Sequence, residues 1–557
     1  MRSITKTQPS QIGTWQAAFG NWQSAIALAV AYSFLAIVPA ILWGIPSNLD
    51  LTNHFRFALP FHDAIAAGDL YPGWLAESNG GYGDPSFRFY PPGLYYVLAA
   101  MRMLLCDWYA ATLVTFVLLS ITGGLGMYFW ARSILPSASA SWAAFFYALA
   151  PYHLNQLYQS VLLAEWAGSA MLPFVFGFVD RVCERGRRID IAGLAATYGL
   201  LVFTHLPLAV IGSIALAVYA LAKIQGTEKV RKLAKLSAGA ILGLSVSAIY
   251  WVTMVSEVNW IAVNRFQGDS SVDYRFNFLL STFSPDNLNV WWMNIMALMS
   301  LMLFAPALFI FKKQIGAERR SYKAVVAVTL FAVFMTVPLS RPIWMLLKPL
   351  QETQFPWRWL SLISMGGSIL AAAGLPRLTG MKNRAARMLI LGAMAISVAF
   401  TLSHIVREAQ YFQPQRFETM LTDVRGSACV YSWIPIWGAR GEAKKMETDV
   451  EAGNREVTVT SWQPEHRTFL VAAGPATEAR VRTYYYPHWT ATSDGGVLAT
   501  RPDKDGALLI SLPQDTTSVA LDFREPRLTK ISTIASLSGL IIFGALVVPL
   551  RRKILNQ

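Results

Sequence analysis

Asp50 and His54 are the first residues whose types and spacing could do chemistry. They follow the first long apolar run, in the stretch NLDLTNHFRF. Four residues apart, they share one face of any helix that starts there. A carboxylate held beside a hydrophobic slab is suited to act as general base toward a hydroxyl acceptor. The same position suits Asp50 as N-cap of a helix over 51–67, and the two roles are compatible. Glu165, in LYQSVLLAEWAGSAMLPF, opens a later apolar run. An acid there is costly unless it meets a cavity, a partner or the positive end of a helix dipole. His205, in LVFTHLPLAV, sits at a helix–helix turn, where a lone imidazole is more often structural than reactive.

A third group lies in SRPIWMLLKPLQETQFPWRWL. Arg341, Lys348 and Arg358 gather there among Trp344, Trp357 and Trp359. An aromatic belt with snorkelling basic residues accounts for that pattern without a ligand. The functional reading is a seat for a lipid-borne phosphate, which the forked guanidinium fits. Arg358 is the favoured member because it follows Pro356 at the start of an apolar run. Arg88 in the first loop and Glu352 in this segment are further candidates.

The elements that must position these residues are membrane helices. Of 557 residues, 54% are hydrophobic and 14% charged, and the mean hydropathy is +0.38. So few charges cannot cover the surfaces of a soluble chain this long. The apolar runs are 24–44, 108–131, 138–151, 165–180, 189–204, 207–223, 236–256, 291–311, 324–338, 357–375, 388–404 and 530–550, about a dozen spans. The first reads as a signal anchor rather than a cleaved peptide. The stretch 91–106 (PPGLYYVLAAMRMLLC) is apolar, but two prolines open it and Arg102 breaks it. It reads as an interfacial or re-entrant helix.

Charge supports that parity. With both termini cytoplasmic, the inner loops hold the basic runs around 181–188, 223–235, 312–323, 377–387 and 551–553. The short outer loops hold only Arg56, Arg88, Arg102, Arg265, Arg275, Arg341 and Lys348, an imbalance of roughly three to one. The net charge of +14 is thereby explained by topology and anionic lipid rather than by nucleic acid.

The predicted architecture is an all-α membrane domain over 1–404 with a first outer loop at 45–107. A β-rich non-cytoplasmic domain over 405–528 and a final helix with a basic tail over 529–557 complete it. The β reading rests on alternating stretches such as EVTVTS, TFLVA, VRTYY and ALLIS, with Asp494-Gly495 and Asp505-Gly506 as turns. Cys106, Cys183 and Cys429 lack metal-ligand spacing. Cys106 and Cys429 fall on one side of the membrane, which leaves a pairing open. There is no Walker loop, dinucleotide fingerprint, HExxH or Gly-x-Ser-x-Gly elbow, so nucleotide-driven chemistry is disfavoured.

The segments DLTNHFRF, AGDLYPGWLAESNGGYGDPSFRFYPP, FTHLPLA, QFPWRWL and TYYYPHWTATSDGG resemble a family of bacterial polytopic proteins. That family is named for a relation to 6-pyruvoyl-tetrahydropterin synthase. It looks like part of the GT-C superfamily of glycosyltransferases, close in plan to YfhO-like and ArnT-like membrane enzymes. The resemblance covers nearly the whole chain. It implies an acid in the first outer loop and a second after the third span, places that Asp50 and Glu165 fill.

By the same resemblance, sugar would pass from a polyprenyl-phosphate donor to a glycan, lipid or protein acceptor on the non-cytoplasmic face of the inner (plasma) membrane, with inversion. Asp50 would be the base. Glu165 would assist it or help bind a divalent ion, Mg or Mn, although Leu51 stands where a second acid often follows the first. Arg358, with Arg341 or Lys348, would meet the charge growing on the leaving phosphate. Two other readings stand beside this one: a transporter or flippase of a lipid-linked glycan, and a non-catalytic scaffold of envelope assembly. The near absence of mid-span charges favours the enzyme.

Overall fold

The structure is a computed structural model and describes residues 22–261, 271–284, 287–309, 317–426, 433–438 and 446–548. Each apolar run named above is built around a helix. Trp108–Ala131, Leu206–Lys223, Pro356–Thr379, Arg384–Arg407 and Arg527–Val547 are long and apolar enough to cross a membrane unaided. Two bent pairs qualify jointly: Lys229–Val246 with Ala248–Trp260, turning by 72°, and Arg320–Thr336 with Pro338–Leu346, turning by 94°. By length and composition alone, the described residues thus hold five helices able to cross a membrane unaided, or up to seven with the bent pairs.

The remaining helices fall short for physical reasons. Ser137–Ala148 has 12 residues, and Leu163–Glu184 carries Glu165, Asp180 and Arg181. Both are largely buried by neighbouring helices, which supply the polar partners that lipid cannot. Helix Trp108–Ala131 packs on Leu163–Glu184, Trp22–Leu35 and Ser137–Ala148. Helix Leu206–Lys223 packs on Ala317–Thr336, and Leu360–Thr379 on Ser137–Ala148 and Ala317–Thr336. Small residues set the closest approach. A Cβ on Gly243 would lie 2.7 Å from the Ala195 carbonyl oxygen, and one on Gly199 2.9 Å from that of Gly243. Without lipid-repelling forces to pull helices together, such close backbone contact is what holds them.

The stretch read as re-entrant is a helix, Gly93–Leu105, of 13 residues, too short to span. It ends at Cys106 in the left-handed region (φ 55°), and Asp107 then caps Trp108–Ala131 by accepting from the Ala110 N–H. The first loop is tied down twice. β1 (Ile45–Pro46) pairs with β2 (Tyr411–Phe412), and helix Leu51–Ala66 packs on helix Pro414–Gly426.

The late region is β-rich. Its strands are β3 (Val450–Glu451), β4 (Val457–Trp462), β5 (His466–Val471), β6 (Thr477–Tyr484), β7 (Trp489–Ser493), β8 (Gly496–Leu498), β9 (Thr500–Pro502), β10 (Ala507–Leu512) and β11 (Thr517–Phe523). They form two antiparallel sheets, β3-β6-β10-β9 and β4-β5-β11-β7-β8. Asp494-Gly495 is the two-residue hairpin between β7 and β8, as read from the sequence. Phe469, Val481, Ile510 and Leu521 fill the core, joined by Trp74, Tyr82 and Phe89 of the first loop. Among the described residues, the strands of these two sheets run from 450, while helix Pro414–Gly426 packs on the membrane domain. Cys106 is exposed and Cys183 buried, and Cys429 lies outside the described residues.

Candidate active site

Helix Leu51–Ala66 brings in Asp50 and His54. Asp50 holds the N-cap position, yet its side chain makes no capping bond. Its Oδ1 accepts instead from the Asn53 Nδ2 at 3.2 Å, and Asn53 Oδ1 accepts from the Arg56 Nη1 at 3.0 Å. The carboxylate is therefore not consumed in the role that would make it merely structural. Burial raises its pKa above the usual range, against the opposing pull of Asn53 and of the Arg358 charge.

His54 is buried and both ring nitrogens are engaged. The backbone N–H of Leu163 donates to Nε2 at 3.1 Å, so Nδ1 carries the proton and donates to the Tyr95 hydroxyl at 2.9 Å. Burial holds the imidazole neutral, with its pKa down to about 4. His54 is thus a brace: it ties the helix behind Asp50 to the first turn of the helix that carries Glu165.

Glu165 is 1% exposed. Its Oε1 accepts from the Tyr152 hydroxyl at 2.7 Å and from Gln156 Nε2 at 2.9 Å, and its Oε2 accepts from Arg358 Nε at 2.9 Å. Tyr152 and Gln156 stand on the short helix Pro151–Tyr158, four residues apart and so on one face. Arg358 Nη1 donates to the Thr353 carbonyl, and the guanidinium lies 4.8 Å over the Phe355 ring. No group among the described residues accepts from Nη2. Two of the five guanidinium N–H groups are thereby spent on Glu165 and Thr353, and three remain, two of them on Nη2.

Electrostatic reach, rather than direct contact, relates these members. Asp50 lies within electrostatic reach of Arg358, and Tyr90 within reach of Asp50, Arg358 and Glu165. His205 lies within reach of Arg358 and His54, while its Nδ1 accepts from the Leu208 N–H at 3.2 Å as N-cap of Leu206–Lys223. The structural reading of His205 is realised in that cap.

The other candidates do not join this centre. Arg341 and Lys348 are exposed, as is Glu352, and their side chains make no hydrogen bond or ion pair among the described residues. Arg88 is 2% exposed and fully committed: its Nε and Nη2 donate to Glu257 at 2.6 and 2.7 Å, and its Nη1 and Nη2 to Glu525 at 2.5 and 3.0 Å. Glu257 also accepts from the Tyr486 hydroxyl at 2.6 Å and lies 3.0 Å from His488 Nε2. Arg88 clamps the first loop, the bent pair and the β-rich region together, because a buried guanidinium needs every N–H satisfied.

Asp50 with Glu165 does not fit a divalent ion. Both Glu165 oxygens are engaged, one by a cation, and among the described residues no group of three His, Cys, Asp or Glu side chains is placed to hold a metal. Sequence reasoning missed Asn53, Tyr90, Tyr152 and Gln156. The signal for the last two was present: Pro151 starts a helix that sets Tyr152 and Gln156 on one face just before the acid.

A family of membrane proteins, described as the 6-pyruvoyl-tetrahydropterin synthase related domain, matches residues 87–411, more than half of the chain. The chain belongs to this family. It includes Arg88, Glu165, His205 and Arg358, while Asp50 and the strands from β3 onward lie outside the matched span. No curated protein matches the chain.

Several solved structures are similar. The arabinofuranosyltransferase AftD from Mycobacteria shows 16% identity and a TM-score of 0.46, over 68% of this chain and 26% of its own. This chain therefore spans only about a quarter of AftD. ArnT from Cupriavidus metallidurans, bound to undecaprenyl phosphate, shows 14% identity and a TM-score of 0.42 over 75% of this chain and 74% of its own. The Archaeoglobus fulgidus oligosaccharyltransferase shows 13% and 0.41, over 74% of this chain and 57% of its own.

Proposed function

We propose that this family member is a membrane glycosyltransferase that moves a sugar from a polyprenyl-phosphate donor to an acceptor on the non-cytoplasmic face, with Asp50 as base. The observation that supports the reading is a buried guanidinium, Arg358, paired with Glu165 and within electrostatic reach, though not in contact, of an uncapped Asp50.

The chemistry follows from that arrangement. The acceptor hydroxyl gives its proton to the free Asp50 oxygen as its own oxygen attacks the anomeric carbon of the donor sugar. The bond from that carbon to the phosphate oxygen breaks, and the lipid phosphate leaves with one more negative charge. Arg358 Nη2 is the donor left to meet it, held in place in advance by Glu165. Attack opposite the leaving phosphate inverts the anomeric centre. Outside the cytoplasm there is no nucleotide-sugar supply, so a lipid-borne donor is the chemically available one. No step passes through a metal ion.

The test uses the full chain in lipid nanodiscs, undecaprenyl-phosphate-linked radiolabelled sugars, and an envelope glycolipid extract as acceptor. Transfer that disappears in both Asp50→Asn and Glu165→Gln supports the reading. Full activity in both variants would sink it. Mass spectrometry of lipid that co-purifies with the protein adds an independent check, a bound polyprenyl phosphate being the expected result.

A further inference from the structure

On the flank of helix Leu51–Ala66, against helix Pro414–Gly426, lies a cavity of about 410 Å³. Thr52 and Arg56 line it from the first helix, and Arg416, Thr419 and Asp423 from the second. Thr52 and Arg56 are four residues apart, and Arg416, Thr419 and Asp423 are spaced by three and four, so each set forms one face. Phe412 and Met420 supply an apolar floor.

Two features mark the cavity as a place for an anion. The Nε of Arg56 is buried and has no partner among the described residues, while its Nη1 is tied to Asn53. The Nε has no surface open to the cavity, so it is the charge of the guanidinium as a whole that Arg56 brings to the lining. Across the cavity Arg416 is exposed, and its guanidinium makes no hydrogen bond or ion pair among the described residues. Two arginines and one carboxylate, Asp423, thus line the cavity and leave it net positive, with a hydroxyl at Thr52; the Thr419 hydroxyl is already donated to the Gln415 carbonyl.

The cavity is coupled to the candidate base by side chains alone. Arg56 Nη1 donates to Asn53 Oδ1, and Asn53 Nδ2 donates to Asp50 Oδ1. Whatever orders Arg56 orders the amide that holds the Asp50 carboxylate.

We infer that this cavity seats a phosphate group and that the molecule glycosylated at Asp50 is phosphate-bearing, an inference that rests on the transferase reading above. The phosphate oxygens bridge Arg56 and Arg416, with the apolar floor against the carbon next to them. The phosphate could belong to a lipid headgroup or to a free phosphate monoester; the chemistry recognised is the same.

The experiment titrates inorganic phosphate against the full chain in phosphatidylcholine nanodiscs, read by phosphorus NMR line broadening. Saturable binding is expected, weakened about tenfold or more in Arg56→Gln and in Arg416→Gln, which is exposed and so safe to replace. Asp423→Asn, which removes the opposing charge, tightens it. Absence of saturable binding, indifference to both arginine variants, or weakening in Asp423→Asn overturns the inference. A second arm adds phosphatidylglycerol to the discs: competition with inorganic phosphate assigns the site to a headgroup, and no competition assigns it to a free monoester. Phosphate binding lost in Arg416→Gln without sugar transfer from any donor would remove the transferase reading while the phosphate seat stands. Transfer dependent on Asp50 with no phosphate binding would do the reverse.

Discussion

The Nε–H of Arg358 donates to Oε2 of Glu165 across 2.9 Å, joining residues 193 positions apart in the chain and almost wholly out of water. The pair neutralises two charges that neither helix could bury alone, and it aims the rest of the guanidinium.

Glu165→Gln leaves Arg358 buried without its counter-charge. Breaking such a pair costs about 3–5 kcal/mol. We expect a lower melting temperature in detergent for Glu165→Gln and for Arg358→Gln, with the double variant less affected than the two losses added. Strict additivity would show that the two side chains are not coupled.

Asp50→Asn behaves differently. Its side chain makes no cap bond, so thermal melting should stay close to that of the parent protein. Transfer should fall about a hundredfold or more, the usual contribution of a positioned base. A large loss of stability with unchanged transfer would reverse the roles assigned here.

The pH profile tests the same group. The base works ionised, and burial raises the pKa of Asp50. Activity should therefore climb with pH along a limb lying above the ordinary aspartate value of 3.8 and be lost as pH falls through it. A rate that is flat from pH 4 upward would show Asp50 is not the titrating group.

Glu465 governs a separate pH effect in the β-rich region. Burial, with the carboxylates of Asp69 and Glu525 nearby, raises its pKa from 4.5 to about 7, against the pull of Arg88. The folded state thus favours the protonated acid, and its stabilising contribution is full below pH 4.5 and lost as pH rises toward 7. Hydrogen exchange in β5 and β11 should accelerate across that window, and Glu465→Gln should flatten the response. Slower exchange with rising pH, after correction for intrinsic rates, would contradict it.

Arg88→Met removes the clamp and strands Glu257 in the interior. A loss of about 3–5 kcal/mol is expected. Hydrogen exchange should report it first in β7 and in the N-terminal turn of Arg527–Val547, next to Glu525. Protection unchanged at both places would mean the β-rich region is held by its apolar contacts alone.

The sequence by itself determined much of this protein. The apolar runs located the helices because a chain in lipid must satisfy its backbone internally, and period-two stretches located β5, β6 and β10 because one face of each is buried, while β4 alternates in residue type without a buried face. Asp50, Glu165 and Arg358 stood out as charges beside apolar runs, where they are costly without partners. Tertiary structure decided which charges meet. Arg358 and Arg341 look alike in sequence, yet one closes on Glu165 and the other stays exposed. Arg88 looks like a ligand-binding cation until Glu257 and Glu525 arrive from distant segments. Burial and pairing depend on contacts across hundreds of residues, and local pattern carries no information about them.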